Sequence, residues 1–208
     1  MPVPEFDLYL VTDRRQTAGR DLLWVVEQAL EGGAEAVQLR EKDLTGGDLF
    51  YLAEKCRNLC EKYHAALMIN DRIDVALAVD AAGVQLGNLS LPIPTARQLL
   101  GPDKMIGAST HSLTEAQVAE ETGADFILFG PVYFTPSKAR YGAPQGLIAL
   151  KETVEKTSLP VYAIGGIKAT SLMDLKSTGI RGIALISAVM GARDPKSATE
   201  ELLTLLRR

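Results

Sequence analysis

Six short runs in this chain carry side chains or glycine turns suited to holding an anion. The first is Gln38-Leu39-Arg40-Glu41-Lys42. In an extended segment Gln38, Arg40 and Lys42 point to one side and Leu39 to the other. Arginine offers phosphate oxygens a bidentate fork, and lysine offers a movable point charge. The competing reading is a solvated loop in which Glu41 and Asp43 neutralise the cations. Arg40 closes an apolar run, where an unpaired charge is costly, and this favours a site. The second run is Asn70-Asp71-Arg72. Asp71 could hold Mg²⁺, which takes oxygen ligands and bridges a carboxylate to a diphosphate, or it could cap the next helix, or both.

The remaining runs are polar in the same way. In Ser109-Thr110-His111-Ser112, Ser109 could donate to a phosphate, and Ser112 with Glu115 forms a capping-box pattern. His111 could serve as an acid or base, but a histidine in such a turn is read first as a structural hydrogen-bonding group. Thr135, Ser137 and Lys138 place two hydroxyls and an ammonium within four residues, which suits a lid closing on an anion or a plain exposed polar loop. Gly165-Gly166 and Ile186-Ser187 each end an apolar run. Glycines there let backbone N–H groups approach an anion, and a following helix start adds partial positive charge. The alternative for Gly165-Gly166 is a tight turn and nothing more. Cys56, Cys60 and His64 recur at helical spacing, nominally a metal triad. The cysteines sit within an apolar stripe, so they are read as core.

Such groups need elements to hold them. Apolar runs at residues 8–11, 36–40, 65–69, 83–86, 105–108, 126–130, 161–164 and 182–186 alternate with amphipathic helical stretches. Each is short and nearly uncharged, as expected of strands buried on both faces. Eight strand–helix units predict an α/β fold, a single-domain (β/α)₈ barrel over residues 1–208. Leu49, Leu52, Ala53, Cys56, Leu59, Cys60 and Tyr63 make one helical stripe, and Gly32-Gly33 is placed as a helix stop. An open doubly wound sheet usually has a Gly-rich turn after its first strand; here that turn reads Thr12-Asp13-Arg14-Arg15. In a barrel the chemistry sits at the C-terminal strand ends, with loops seven and eight the recurring phosphate site. Every run named above falls at such an end.

The bulk properties exclude other classes. Across 208 residues, 47% are apolar and 23% charged, with a net charge of −4. No global positive field recruits nucleic acid or an acidic membrane. No apolar stretch approaches the roughly 20 residues of a membrane helix, residues 1–7 do not read as a signal peptide, and two cysteines make no disulfide framework. A cytoplasmic protein acting on small phosphorylated substrates is expected, with its oligomeric state open and a homo-oligomer included.

Taken together, Leu8-Tyr9-Leu10-Val11-Thr12-Asp13, the 38–42 run, Asn70-Asp71-Arg72, Ser109-Thr110-His111-Ser112, residues 135–138 and Ile164-Gly165-Gly166-Ile167 resemble the thiamine phosphate synthase family, in order along essentially the whole chain. The resemblance implies a transferase that joins an aminopyrimidine-methyl diphosphate to a thiazole phosphate with loss of pyrophosphate and uses Mg²⁺. It implies that Gln38, Arg40, Lys42, Asn70, Ser109 and Lys138 hold the diphosphate substrate. Arg40, Lys42 and Lys138 would stabilise the leaving group, and Asp71 would ligate the metal. Thr135, Ser137, Gly166, Ile186 and Ser187, with Gly165 beside them, would hold the thiazole phosphate. The family usually carries His-x-Gly-Gln-x-Asp after strand four, ending in a second magnesium carboxylate. Here the stretch is Gln85-Leu86-Gly87-Asn88-Leu89-Ser90, and serine is the poorer ligand for a hard cation. The same loss resembles the thiazole tautomerase branch. That branch, however, has a catalytic histidine where this chain has Pro131, and it has no need of Lys42, Asn70 and Asp71 for diphosphate. A non-catalytic binder of thiazole or thiamine phosphate is the third reading.

Overall fold

Side-chain alternation divides every strand between two apolar environments, and this sets the architecture. A computed structural model describes residues 4–135 and 142–208. The strands are β1 (Leu8–Val11), β2 (Ala36–Leu39), β3 (Ala66–Asn70), β4 (Gly83–Leu86), β5 (Met105–Thr110), β6 (Phe126–Phe129), β7 (Val161–Ile164) and β8 (Gly182–Leu185). Each pairs in parallel with the next, and β8 returns to β1, so the sheet closes as a barrel. Around it run α1 (Leu22–Glu31), α2 (Gly46–Lys62), α3 (Ile73–Ala78), α4 (Ile93–Leu100), α5 (Leu113–Glu121), α6 (Gly146–Lys156), α7 (Leu172–Lys176), the short α8 (Ser187–Met190) and α9 (Pro195–Arg207).

Outward strand residues such as Leu10, Leu39, Ile69 and Ile106 join Val26, Ala29, Cys56, Cys60 and Leu202 from the helices in one buried cluster. Inward residues, among them Tyr9, Ala36, Met68, Phe126, Tyr162 and Ala184, form a second cluster inside the barrel. Burial on both faces is why the strands read as unbroken apolar runs. Phe6 plugs the N-terminal end, stacked on Tyr162 at 4.7 Å and edge-on to Phe126 at 5.6 Å. The Tyr162 hydroxyl donates to the Phe6 carbonyl at 2.8 Å, and burial pushes the Tyr9 and Tyr162 phenols well above their usual range. These aromatic rings form the floor of the barrel interior, below its C-terminal mouth.

Strand ends differ from the sequence expectation in a way that matters for the site. Strands two, six and eight stop one residue early, while β3 slides one residue to include Asn70 and β5 extends through Ser109 to Thr110. Ladder partners explain the extensions: Asn70 pairs with Gln85 and Ser109 with Leu128. Alternation therefore turns Asn70 inward with Met68, and Ser109 inward with Gly107. The stop at Gly32-Gly33 holds, with the Gly32 N–H closing on the Gln28 carbonyl at 3.0 Å. Cys56 and Cys60 are fully buried, and burial pushes the Cys60 thiol up to about 12. His64 lies beyond the end of α2 with φ +55°, so the nominal triad does not share a helical face. Among the described residues, no helix is long and apolar enough to cross a membrane.

Candidate active site

Above the aromatic floor, the inward positions change from apolar to amide and hydroxyl. Gln38, only 2% exposed, donates through Nε2 to the Tyr9 hydroxyl at 3.3 Å. Gln85, equally buried, donates to Ser109 Oγ at 3.1 Å and leaves its Oε1 without a partner. Gly107 makes room for this layer, since a Cβ there would stand 2.4 Å from Gln85 Oε1.

Arg40 follows directly on β2, and Leu39 pairs with Ile69, so Arg40 and Asn70 stand at one height on neighbouring strands. The acids flanking Arg40 and Lys42 are engaged elsewhere. Buried Glu41 accepts from Thr12 Oγ1 at 2.8 Å and from Arg14 NH1 at 3.1 Å. Asp43 takes both Arg14 nitrogens at 2.8 Å and Arg15 at 2.7 Å, and the Arg14 guanidinium holds its carboxyl below the usual range. Thr12 Oγ1 also accepts the Arg40 N–H at 2.9 Å. Thr12 and Arg14 thus occupy the local carboxylates, and no described acid pairs with the Arg40 or Lys42 side chain. Glu41 and Asp43 are therefore not the partners of Arg40 and Lys42, and Lys42 is exposed. The part played by Thr12 and Arg14 was missed from sequence; its signal was their position just past β1, beside the end of β2.

Asp71 adopts φ +62°, a conformation that Asp and Asn tolerate better than most residues. It does not cap α3: the N-cap is Arg72, with no side-chain cap bond. Its carboxylate is held instead by two neutral donors, Asn70 Nδ2 to Oδ2 at 3.0 Å and Ser90 Oγ to Oδ1. Ser90 Oγ in turn accepts the Gly87 N–H at 2.6 Å. Loop four therefore reaches Asp71 through the residue that departs from the family pattern.

Around the rest of the mouth the loops are tied to each other. His111 Nδ1 bonds to the Gly130 carbonyl, and its N–H donates to Glu115 at 2.7 Å, which bears out the structural reading. Ser112 caps α5 by accepting the Glu115 N–H at 3.2 Å. The root of loop six lies on loop seven, Val132 N–H to the Ile164 carbonyl at 2.9 Å and Tyr133 N–H to the Gly165 carbonyl at 3.0 Å. Gly165 and Gly166 have φ +98° and +68°, and a Cβ on either would come within 2.6 Å of Pro131 or 2.7 Å of the Phe134 carbonyl oxygen. Both conformation and packing demand glycine at these two positions; Thr135, just beyond the root of loop six, is half-buried. Ile186 is the N-cap of α8, with no side-chain cap bond. The Ser137 and Lys138 expectations lie outside the described residues.

Comparison with known proteins extends over nearly the whole chain. The family described as thiamine monophosphate synthase matches residues 8–189. A thiamine-phosphate synthase of Clostridium novyi is 43% identical over 96% of this chain and 98% of its own length. One from Chlorobium phaeobacteroides is 44% identical over 96% of each. A solved thiamine phosphate pyrophosphorylase from Pyrococcus furiosus superposes with a TM-score of 0.89 at 44% identity, covering 97% of this chain and 96% of that one.

Proposed function

The chain belongs to the thiamine monophosphate synthase family, and from that premise we propose that it is a thiamine-phosphate synthase. It would condense an aminopyrimidine-methyl diphosphate with a thiazole phosphate to give thiamine phosphate and pyrophosphate. The observation that carries the reading is the mouth of β2 and β3. There the cations of Arg40 and Lys42 lack carboxylate partners among the described residues, because Arg14 and Arg15 take the neighbouring acids, and the loop after the adjacent strand carries an oriented carboxylate, Asp71. Such an arrangement suits a polyanion with an attendant cation.

The C–O bond to diphosphate breaks with both electrons leaving on oxygen. The thiazole nitrogen then supplies the pair for the new C–N bond to the pyrimidine-methyl cation. Negative charge develops on the departing oxygens, and Arg40 and Lys42 are the described cations placed to meet it. Gln38, Asn70 and Ser109 orient the diphosphate substrate from the polar layer. Gly165, Gly166, Ile186, Ser187 and Thr135 hold the thiazole phosphate where loops six, seven and eight meet. Lys138 and Ser137 are assigned by resemblance to complete the two halves.

What the site offers Mg²⁺ is one carboxylate, Asp71, held by the Asn70 amide N–H and the Ser90 hydroxyl, which suits an ion that keeps its waters and is completed by substrate phosphate. Asp71 would hold it, with Asn70 and Ser90 orienting the carboxylate. When bound, the ion would neutralise charge on the leaving diphosphate.

Mixing both substrates with Mg²⁺ and following thiamine phosphate tests the assignment. Product is expected, and none across a wide Mg²⁺ range removes it. A second outcome reads the phosphate half. Gly166→Ala forces a Cβ against the Phe134 carbonyl at 2.7 Å in a left-handed turn. Such a residue alone costs about 1–2 kcal/mol. KM for the thiazole phosphate is expected to rise by at least about tenfold, with KM for the diphosphate substrate much less affected. An equal rise for both would contradict the division of the site.

A further inference from the structure

Asp71 carries one negative charge, and both of its oxygens already accept from neutral donors. Ser90 takes the Gly87 N–H at 2.6 Å, which leaves its own hydrogen to Asp71. A hydroxyl has one hydrogen and two lone pairs, so Ser90 keeps a single lone pair for anything else. The family's second carboxylate position is Ser90, and among the described residues no three His, Cys, Asp or Glu side chains gather as a metal site. Arg40 meanwhile follows Leu39, the ladder partner of Ile69, and Lys42 comes two residues later in the chain. These cations repel a bare divalent ion and attract a polyanion.

From this charge count we propose a conditional cation site, in which Asp71, oriented by Ser90, takes up a divalent cation only together with a diphosphate. The inference rests on the diphosphate reading above and specifies its metal chemistry. A hard cation that dehydrates reluctantly gains too little from one half-engaged carboxylate. With a diphosphate in place it gains several anionic oxygens at once. Because the coupling is thermodynamic, it is reciprocal: the cation tightens diphosphate binding by the factor by which diphosphate tightens the cation. Residue 90 sets the condition. Its Oγ touches Asp71 Oδ1 and the Gly87 N–H, so a carboxylate there would stand beside the first and double the local charge.

Two binding measurements on the intact chain read this without turnover. The free Mn²⁺ signal in electron paramagnetic resonance, with protein alone, reads the bare site. Retention of radiolabelled pyrophosphate in equilibrium dialysis, across a Mn²⁺ series, reads the coupling. The natural chain is expected to leave nearly all Mn²⁺ free at about millimolar concentration, and Mn²⁺ to tighten pyrophosphate by at least about tenfold. Ser90→Asp is expected to bind Mn²⁺ without pyrophosphate at least about tenfold more tightly than the natural chain. Asp71→Asn is expected to retain pyrophosphate but lose its Mn²⁺ dependence. If Ser90→Asp does not fold, the natural chain and Asp71→Asn still decide. Mn²⁺ binding to the natural chain alone as tight as to Ser90→Asp overturns the proposal. Pyrophosphate binding that ignores Mn²⁺ also overturns it, while leaving the diphosphate reading standing. Failure to bind pyrophosphate under any condition removes the diphosphate reading itself.

Discussion

Asp71→Asn is expected to lower turnover by at least about 10³-fold, or about 4 kcal/mol of transition-state stabilisation, while the Kd for thiazole phosphate should change by less than about threefold. The substitution isolates charge from shape. Asparagine tolerates the φ of +62° that Asp71 adopts, and its oxygen can still accept from Ser90 or Asn70. What disappears is the carboxylate that would hold the cation against the leaving group. Thiazole phosphate is assigned to the glycine turn of loop seven and the start of α8, so its affinity should report on an intact fold. Single-turnover kinetics and direct titration of thiazole phosphate separate the two quantities. Parallel losses in both would show that Asp71 supports the mouth as a whole. Asp71→Ala removes the same charge but places a residue less suited to a left-handed conformation, so it should lose stability as well.

Arg40→Ala is expected to have the second large effect: kcat/KM for the diphosphate substrate should fall by about 10²–10³, as on removal of one preorganised donor to developing negative charge. The thermal midpoint should hardly change. No described acid pairs with the Arg40 side chain, and its backbone N–H bond to Thr12 is independent of the side chain. Arg40→Lys should recover only part of the loss, because an ammonium cannot reproduce the bidentate fork. A marked fall in the midpoint without a matching fall in kcat/KM would make Arg40 a structural residue.

The barrel was legible because its strands are buried on both faces. That condition writes eight short apolar runs into the sequence at regular intervals. Positions at strand ends were therefore readable as a set, and the 38–42 and 70–72 runs, Ser109 and Gly165-Gly166 all fall at the mouth. Strand limits were less legible. An end is set by the partner across the ladder, and only pairing with Gln85 and Leu128 brought Asn70 and Ser109 into the sheet.

Residue types and spacing alone determined the closed parallel barrel and the gathering of the polar and glycine runs at its C-terminal strand ends. The tertiary structure decided which charges remain available. Glu41 and Asp43 are neighbours of Arg40 and Lys42 in sequence, yet Arg14, from the loop after β1, takes them. It also decided that Asp71 is oriented by Ser90 from loop four rather than spent on capping α3. Hydrogen-bond and ion-pair partners are chosen by distance in space, and parallel strands bring together loops that lie about thirty residues apart in the chain. Composition and periodicity carry no record of that choice.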